Sequence, residues 1–412
     1  MSIDAKMAWR NIWRNPRRTL LTMGAIAFSS LLLVFMLSFQ FGSYETMINA
    51  SVKIHTGHLQ IQAKGYQAKK NIRRVVTDPA AMGNILKKIP QVVAYTYRAQ
   101  AFSLVSSKKR TYGIGVTGID PVREARVSHL KSLIRQGRYL SEGDTDQALV
   151  GELLAKNLRV GLGDELVVLG QGYDGSIAAF VVKIKGIYRS GMDEFDRASI
   201  QIPLRFFQDA YTMDGAVHQV VAIAQSLSDI SAIKARITSW LSSLNPDYPL
   251  AVLDWEQLMP GLRQAIEMDL ISGIIFYALL VLVVAFSILN TFLMAIFERT
   301  REFGVMMAIG TTPGRLTKLL LIESLTMTMA GIVAGILIGC LVTLYFQVHG
   351  INLGGSAELL SQYGISGLIY PRLSLLSIMI GPCMVLAITF FAALYPALKV
   401  RSLRPVEAMG AA

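Results

Sequence analysis

The chain has 412 residues, of which 52% are hydrophobic and only 17% are charged, and its formal net charge is +12 at pH 7. This balance indicates an integral membrane protein. The two cysteines, Cys340 and Cys383, both lie in apolar stretches. The polar part of the chain therefore contains neither a disulfide nor a metal site of the Cys/His type.

The first residues, 1–18, read as an amphipathic helix. On a helix of 3.6 residues per turn, Trp9, Ile12 and Trp13 share one face, and a basic face opposite them carries Arg10, Arg14, Arg17 and Arg18. An ordinary surface helix is one interpretation. Because a long apolar stretch follows directly, we expect an interfacial helix, with its tryptophans at the lipid headgroups and its arginines facing anionic lipid.

Four apolar stretches are long enough to cross a hydrocarbon core of about 30 Å, which needs about 20 residues. They predict membrane helices at 19–42, 271–297, 319–346 and 373–398. The first stretch is too long for a cleaved signal peptide, whose apolar region has about 7–15 residues. We therefore interpret it as a retained span.

The basic residues that flank these spans predict the topology. Twelve of the thirteen fall on one side of a four-span arrangement, the exception being Arg372. The positive-inside rule assigns that side to the cytosol. We therefore expect a multi-pass protein of the inner (cytoplasmic) membrane. Both termini, the segment 298–318 and the tail 399–412 are then cytosolic, whereas 43–270 and the loop 347–372 lie outside. Topology accounts for the net charge, and no nucleic-acid partner is predicted.

The segment 43–270 combines helical and strand-like patterns of hydrophobic residues, which predict a large mixed α/β extracytoplasmic domain. The predicted fold class is therefore an α-helical membrane protein with four spans, in which this domain is inserted between the first and second membrane helices. Short β-type patterns occur at Val52–Gln62, Ala148–Gly151, Leu166–Leu169, Ala179–Ile187 and Ser199–Ile202. Helical patterns occur at Leu153–Leu158 and Leu227–Leu244.

Catalytic motifs are missing from the sequence. The glycine-rich piece that begins at Gly310 lacks the lysine that would meet a phosphate. His55 and His58 lie in a strand-like stretch, where a spacing of three puts them on opposite faces, so no metal site is predicted. We expect a chain that is not an enzyme and binds no cofactor of its own.

The segment between the second and third spans reads as a short rigid helix. Glu298 stands at helical spacing from Arg301 and Glu302, and an apolar patch follows that contains Phe303, Met306, Met307 and Ile309. Gly310 is suited to a left-handed helix end, and Pro313 to the first turn of the next helix. This segment could dock a partner; the alternative is a tight linker that lies on the membrane.

The third span contains a carboxylate and a row of small residues. Glu323 lies about two turns inside the span, where a charge is costly. We expect it to pair with an N-terminal arginine or with Lys318, the alternative being a direct role in motion. Gly331, Gly335 and Gly339 would let another helix approach closely, either within the chain's own bundle or from a second copy.

Eight segments, in this order, resemble the ABC transporter permeases of the macrolide-exporter and lipoprotein-release family (the MacB, LolC and LolE type, with FtsX-like permeases). The resemblance covers nearly the whole chain. The matching segments are Ala8–Thr19, Gly115–Pro121, Gly137–Leu140, Val150–Ala155 and Val160–Asp164 (the last four like outer-domain turns), Glu298–Gly310, Tyr395–Ala397 and Arg404–Ala408.

The resemblance implies a permease subunit that couples ATP hydrolysis in a partner to movement of its outer domain. Its partners would be a dimer of ABC ATPase subunits, which binds ATP and Mg²⁺, a second permease chain, membrane lipid, and a periplasmic lipoprotein carrier or adaptor. The implied function is release of lipoprotein or another lipophilic substrate. The alternatives are export of small molecules or peptides with an adaptor, and FtsX-like regulation of a wall hydrolase. The implied coupling residues are Glu298, Arg299, Arg301, Glu302, Phe303, Met306, Met307, Gly310, Thr311 and Arg315.

Overall fold

The structure is a computed structural model, and it describes residues 3–108, 110–244, 249–352 and 368–399. The described residues divide into two compact units. We call the first the membrane unit (3–44, 265–352 and 368–399) and the second the large domain (45–264). The predicted tail beyond residue 399 and most of the predicted loop 347–372 lie outside the described residues.

The α-helices are numbered in chain order. They are α1 (Ile3–Ile12), α2 (Pro16–Ser51), α3 (Pro79–Lys87), α4 (Pro121–Val127), α5 (Glu152–Leu158), α6 (Asp193–Ala198), α7 (Leu204–Ala210), α8 (Ile230–Leu244), α9 (Trp255–Leu258), α10 (Pro260–Glu298), α11 (Thr300–Ala308), α12 (Pro313–His349) and α13 (Leu375–Lys399). A π-helix follows α2, and two 3₁₀ turns occur in the large domain. These three pieces are Val52–Thr56, Leu130–Leu133 and Leu227–Asp229.

The β-strands are numbered in the same way. They are β1 (Leu59–Ala63), β2 (Val92–Ser106), β3 (Thr111–Ile119), β4 (Ile134–Gly137), β5 (Gln147–Gly151), β6 (Glu165–Gln171), β7 (Ile177–Tyr188), β8 (Ser199–Pro203), β9 (Gln219–Ala224), β10 (Leu250–Asp254), β11 (Ile351–Asn352) and β12 (Leu368–Ile369).

Within the described residues, four helices are long and apolar enough to cross a membrane: α2, α10, α12 and α13. The predicted fold class, four spans with a mixed α/β domain after the first, is therefore confirmed. Three of these helices extend well past the predicted apolar segments. α10 has 39 residues and α12 has 37, so α12 is about 55 Å long at 1.5 Å per residue.

The glycine row of α12 packs against α2 of the same chain. A Cβ atom at Gly331 would lie 2.9 Å from Ile26, and one at Gly335 would overlap the carbonyl oxygen of Ala27. Gly339 is packed in the same way, with Leu31 3.2 Å from its Cβ position. Between the two interpretations of this row, the structure supports packing within the chain's own bundle.

The large domain is built on a ten-stranded sheet with the order β10-β1-β9-β2-β3-β8-β5-β7-β4, and β6 pairs with β2 and β7. One face carries the apolar core. Near one end of the sheet, Leu59 and Ile61 of β1 pack with Met82 of α3 and Ile237 of α8. Toward the other end, the core is formed with α5 and α7. Most strand pairs are antiparallel, but β3 and β8, and β5 and β7, run parallel.

Several predictions for the large domain were wrong. The strand predicted at Val52–Gln62 begins only at Leu59, because the π-helix occupies its first half. Gly115–Pro121, which resembles a turn, is the end of β3 followed by the start of α4, whose first turn is capped by Asp120. The strands β2, β3, β4, β9 and β10 had not been predicted. In β9 every residue is buried, so no polar alternation marks it as a strand.

The two histidines near the π-helix make separate contacts. The ring of His58 lies 3.0 Å from the side chain of Asn49, and its other nitrogen accepts a hydrogen bond from the backbone of Ala224. His55 instead faces Gln100. Among the described residues there is no group of three or more side chains that could hold a metal ion.

Asp144 forms a charged cluster in the large domain. Its carboxylate accepts hydrogen bonds from Lys185, from Arg138 at 3.1 Å and from the backbone of Ser141 at 2.8 Å. Burial alone would raise the pKa of Asp144, but these hydrogen bonds outweigh it and lower the pKa to about 2. The folded domain therefore favours the charged form of this side chain.

Candidate functional site

The segment between the second and third membrane helices is broken into three pieces. α10 ends at Glu298, Arg299 leaves the helical conformation with φ −107° and ψ 6°, and α11 begins at Thr300. The helix that was predicted to start at Glu298 therefore starts at Thr300, after this break. Helical spacing alone did not show that Arg299 turns the chain, since no glycine or proline marks the break.

The C-terminal end of α11 has the predicted geometry. The backbone N–H of Gly310 donates to the carbonyl of Met307 at 3.1 Å, and that of Thr311 donates to the carbonyl of Met306 at 2.9 Å. This pair of bonds is a Schellman motif, which needs a residue with positive φ, and Gly310 has φ +100°. Pro313 lies in the first turn of α12, as predicted.

The expected exposed patch of α11 is mostly an internal contact. Phe303 is 1% exposed and Met307 is buried beside it, and Met306 packs against the same cluster. This cluster joins α11 to the ends of α10, α12 and α13; its other members are Ile296, Leu316, Leu320 and Ala397. The prediction that Phe303 and Met307 face a partner was therefore wrong, because residues at i and i+4 lie on one helix face and this face is covered by the chain itself.

The outer face of α11 is formed by different residues. Val305 is 49% exposed and Ile309 is 79% exposed. Arg301 and Ala308 are exposed on the same short helix, and Arg315 is exposed in the first turn of α12. This face is the part of the segment that a second protein could reach.

Ion pairs connect α11 and the end of α10 to the start of the chain. Arg14 donates two hydrogen bonds to the carboxylate of Glu302, one of them 3.0 Å long. Arg18 binds Glu298 at 2.7 Å. The hydrogen bond from Arg14 holds the pKa of Glu302 below its ordinary value. The Arg14–Glu302 pair is partly exposed, so it adds little to the stability of the fold and mainly fixes the position of α11.

Glu323 pairs with a residue that had not been predicted. The Arg299 guanidinium lies 3.2 and 3.3 Å from its two carboxylate oxygens, and both side chains are only 9% exposed. The expected partners were an N-terminal arginine or Lys318. Arg299 also lies 3.4 Å from Glu302 and stacks over the ring of Phe303, at 5.4 Å from its centroid. The turn at Arg299 therefore brings this side chain back toward α12.

The N-terminal region differs in part from the predicted helix over 1–18. α1 ends at Ile12, and Arg17 and Arg18 belong to the first turn of α2. A turn separates the two helices, held by the Thr19 hydroxyl, which donates to the carbonyl of Ile12 at 2.6 Å. Ile12 is buried, whereas Trp9 and Trp13 are about half exposed, although all three had been predicted to share a face. The exposed rings agree with a headgroup position for the tryptophans.

The sequence matches two family models that together cover most of the chain. The model described as MacB-like periplasmic core domain matches residues 19–240, which is more than half of the chain. The model described as FtsX-like permease C-terminal matches residues 274–405. The chain belongs to the family of FtsX-like ABC transporter permeases with a MacB-like periplasmic core domain. The resemblance seen in the sequence motifs is thereby confirmed.

Two relatives and one solved structure are similar to parts of this chain. The lipoprotein-releasing system transmembrane protein LolC of Neisseria meningitidis is 22% identical over 322 residues, covering 74% of this chain and 75% of that protein. The macrolide export ATP-binding/permease protein MacB of Chlorobaculum tepidum is 32% identical over 123 residues, covering 30% of this chain and 16% of that protein. The crystal structure of the periplasmic region of MacB from Actinobacillus actinomycetemcomitans is 14% identical, with a TM-score of 0.38, and covers 52% of this chain and 94% of that one.

The family and the four long apolar helices make this chain a multi-pass membrane protein and an ABC transporter permease subunit. Two features of its candidate site had no usable signal in the sequence. The pairing of Arg299 with Glu323 joins residues 24 positions apart. The exposure of Val305 could be found only by knowing which face of α11 the membrane helices cover.

Proposed function

We propose that this permease receives mechanical force from a partner ATPase at α11 and passes it to the large domain. The supporting observation is the division of α11 into two faces. One face is anchored in the chain's own core by Phe303 and Met307, and the other exposes Val305 and Ile309. In this proposal α11 and both termini lie in the cytosol. ATP and Mg²⁺ are bound by an ATPase dimer, and a second permease chain completes the assembly.

The contacts of α11 support transmission of force. Its apolar anchors connect it to α10, α12 and α13, and the ion pairs of Glu302 and Arg299 connect it to Arg14, in the turn before α2, and to Glu323 of α12. A push on α11 would therefore reach four membrane helices at once. α12 is continuous for 37 residues, and α2 for 36. Such helices move as rigid elements, so displacement at one end appears at the other.

The proposed substrate is a lipoprotein or another lipophilic molecule, released from the inner membrane. Relatives named for lipoprotein release cover about three quarters of this chain, which favours this choice. Export of smaller molecules is the second candidate, favoured by the similarity to a macrolide exporter over a shorter stretch. ATP-dependent release of a purified lipoprotein from proteoliposomes, with a macrolide as the competing cargo, distinguishes the two.

The docking face is tested by charge substitution on α11. Val305→Asp and Ile309→Asp place a carboxylate on the exposed face, so we expect each variant to fold and to reach the membrane normally. If an ATPase covers this face, an unpaired buried charge costs several kcal/mol, and each ~1.4 kcal/mol is tenfold in affinity. Co-purification with a partner ABC ATPase should therefore largely fail.

Two controls make this test specific. Leu162→Asp introduces the same charge at an exposed apolar residue of the large domain and should leave assembly unchanged. Met307→Asp instead buries a charge in the chain's own core, so it should reduce the amount of folded permease. If Ile309→Asp and Val305→Asp both assemble with the ATPase and support release as well as wild type, α11 is only a linker and the proposal is wrong.

A further inference from the structure

The large domain contains a cavity of about 380 Å³ on the face of the sheet opposite its main apolar core. Its floor is formed by β2 and β3, through Gln100, Phe102, Gly115 and Thr117. One wall comes from the π-helix and the segment after β1. The other comes from α6 and the residue before it. The wall residues include His55, Tyr66, Met192 and Phe195.

The floor of this cavity is polar. The side chain of Gln100 lies 3.0 Å from Nε2 of His55, and its amide oxygen lies 3.4 Å from the hydroxyl of Tyr66. Burial, together with the charges of Arg98 and Lys70, holds the pKa of His55 well below its ordinary value, so the ring is neutral. Thr117 points to the same face as Gln100, because the two residues are directly opposed in the register of β2 and β3.

Neighbouring polar side chains on this face lack hydrogen-bond partners. Thr117 is paired in register with Gln201, whose amide nitrogen has no partner. In β9, the amide oxygen of Gln219 has no hydrogen-bond partner. Gln62, which lies opposite Gln219 in the neighbouring strand β1, has no partner for its amide oxygen or its amide nitrogen. All three glutamines are at most 4% exposed. These glutamines make the sheet face beside the cavity polar, but they do not line the cavity itself, so Gln100 and Thr117 are the polar groups of the floor that a ligand there would meet.

The remaining lining is apolar and aromatic. Phe102 is 76% exposed at the mouth of the cavity, and the ring of Phe195 lies 5.0 Å from that of His55. Among the described residues, the charged side chains of the lining are Lys70 and Glu194, which are both exposed and of opposite sign. A cavity of this size with mostly apolar walls and a few convergent polar groups is typical of a small-molecule site.

We propose that this cavity is a binding site for an uncharged amphipathic small molecule. A hydroxyl or arylamine N–H group of the ligand binds Gln100 and Thr117, and its ring or chain packs between Phe102, Met192 and Phe195. The site belongs to the large domain alone and does not depend on the role of α11. A ligand with a full charge is disfavoured, because no opposite charge on the floor would pair with it.

A cysteine at the cavity tests this site in the full-length chain, reconstituted in lipid nanodiscs. In a background with Cys340→Ser and Cys383→Ser, Ala198→Cys places a thiol on an exposed residue of the cavity wall. The rate of its reaction with 2-aminoethyl methanethiosulfonate is measured with and without N-phenyl-1-naphthylamine, an uncharged probe. The readout is local to the cavity, so probe dissolved in lipid does not contribute. Ala80→Cys, on the opposite side of the sheet, is the matched reporter.

We expect N-phenyl-1-naphthylamine to slow the reaction at Ala198→Cys several-fold and to leave Ala80→Cys unchanged. To give the same protection, the matched anion 8-anilino-1-naphthalenesulfonate should require a concentration at least about tenfold higher than that of the uncharged probe. Gly115→Leu should remove the protection, because a side chain there extends into the cavity and its Cβ has room, 3.7 Å from the nearest atom. Gly143→Leu, in an exposed turn where a Cβ is also free, should keep it.

Three results would overturn the proposal: no protection by the uncharged probe up to its solubility limit, equal or better protection by the anion, or unchanged protection in Gly115→Leu. If Gly115→Leu fails to fold, Gln100→Leu replaces it in the same measurement. That variant keeps the size of the side chain but removes its hydrogen bonds, so it should weaken protection several-fold.

Discussion

Replacing Glu323 by glutamine removes the charge that faces Arg299 inside the membrane unit. The two side chains are 9% exposed and their atoms lie 3.2 Å apart, so Arg299 would remain buried with one partner fewer. Breaking a buried pair costs about 3–5 kcal/mol. Arg299 keeps Glu302 at 3.4 Å and the ring of Phe303, so we expect Glu323→Gln to lose about 2–3 kcal/mol of unfolding free energy.

The reverse change should cost more. Arg299→Met leaves Glu323 without its closest cationic partner, and it also removes the contact with Glu302. We expect a loss of about 3–5 kcal/mol. The double variant Arg299→Met with Glu323→Leu removes both charges together and replaces them with apolar side chains. It should lie within about 1 kcal/mol of wild type, because well-packed apolar residues can replace a buried pair without loss.

Unfolding by sodium dodecyl sulfate in mixed micelles, followed by circular dichroism, measures these differences without the ATPase. The control is Arg14→Met, which breaks the partly exposed pair with Glu302 and should cost at most about 1 kcal/mol. The reasoning is refuted if Glu323→Gln is as stable as wild type. It is also refuted if the double variant shows the sum of the two single losses, since the charges would then not be coupled.

Three further predictions concern other parts of the chain. Gly335→Leu should cost about 1–3 kcal/mol in the same unfolding assay, because α2 has no room for the side chain, whereas Gly24→Leu, with nothing near its Cβ position, should be neutral. The pKa of Asp144 is lowered to about 2, so the ionised side chain stabilises the folded domain fully above pH ~4, and this stabilisation is lost as the pH falls toward ~2. Thermal unfolding should therefore show a decrease in unfolding free energy of order 1 kcal/mol over this pH interval, and the Asp144→Asn variant should lack this decrease. In intact cells with a permeabilised outer membrane, an impermeant thiol reagent should label Ser226→Cys and not Thr311→Cys, and labelling of the latter would contradict the topology.

The membrane helices could be predicted from composition because lipid imposes a simple requirement, about 20 consecutive apolar residues. The end of α11 was also predictable, since few residues other than glycine take the φ of +100° found at Gly310. Both features depend on short-range properties of the chain. The strand β9 was harder, because it is buried on both faces and carries no alternation of polar and apolar residues.

The faces of α11 could not be predicted for a different reason. Phe303 and Met307 share one side of the helix, and Val305 and Ile309 share another, and all four are apolar. The sequence shows that both sides are apolar, but the choice between them depends on where α10, α12 and α13 end. The partner of Glu323 was missed for the same reason, because the turn at Arg299 decides which charges meet. The cavity of the large domain combines residues from five separate segments, and no single segment carries a motif for it.

A nine-residue helix such as α11 is too short to be stable by itself, so tertiary contacts must fix its place. Apolar contacts at Phe303 and Met307 hold it against the membrane helices, but such contacts are not directional and allow the helix to slide or turn. Hydrogen-bonded ion pairs have a defined geometry, and those of Glu302 and Arg299 hold α11 at two separate points. We infer that the ion pairs set the rotation of α11. Loss of the Arg299–Glu323 pair should therefore reduce ATP-driven release even in a variant whose stability is restored.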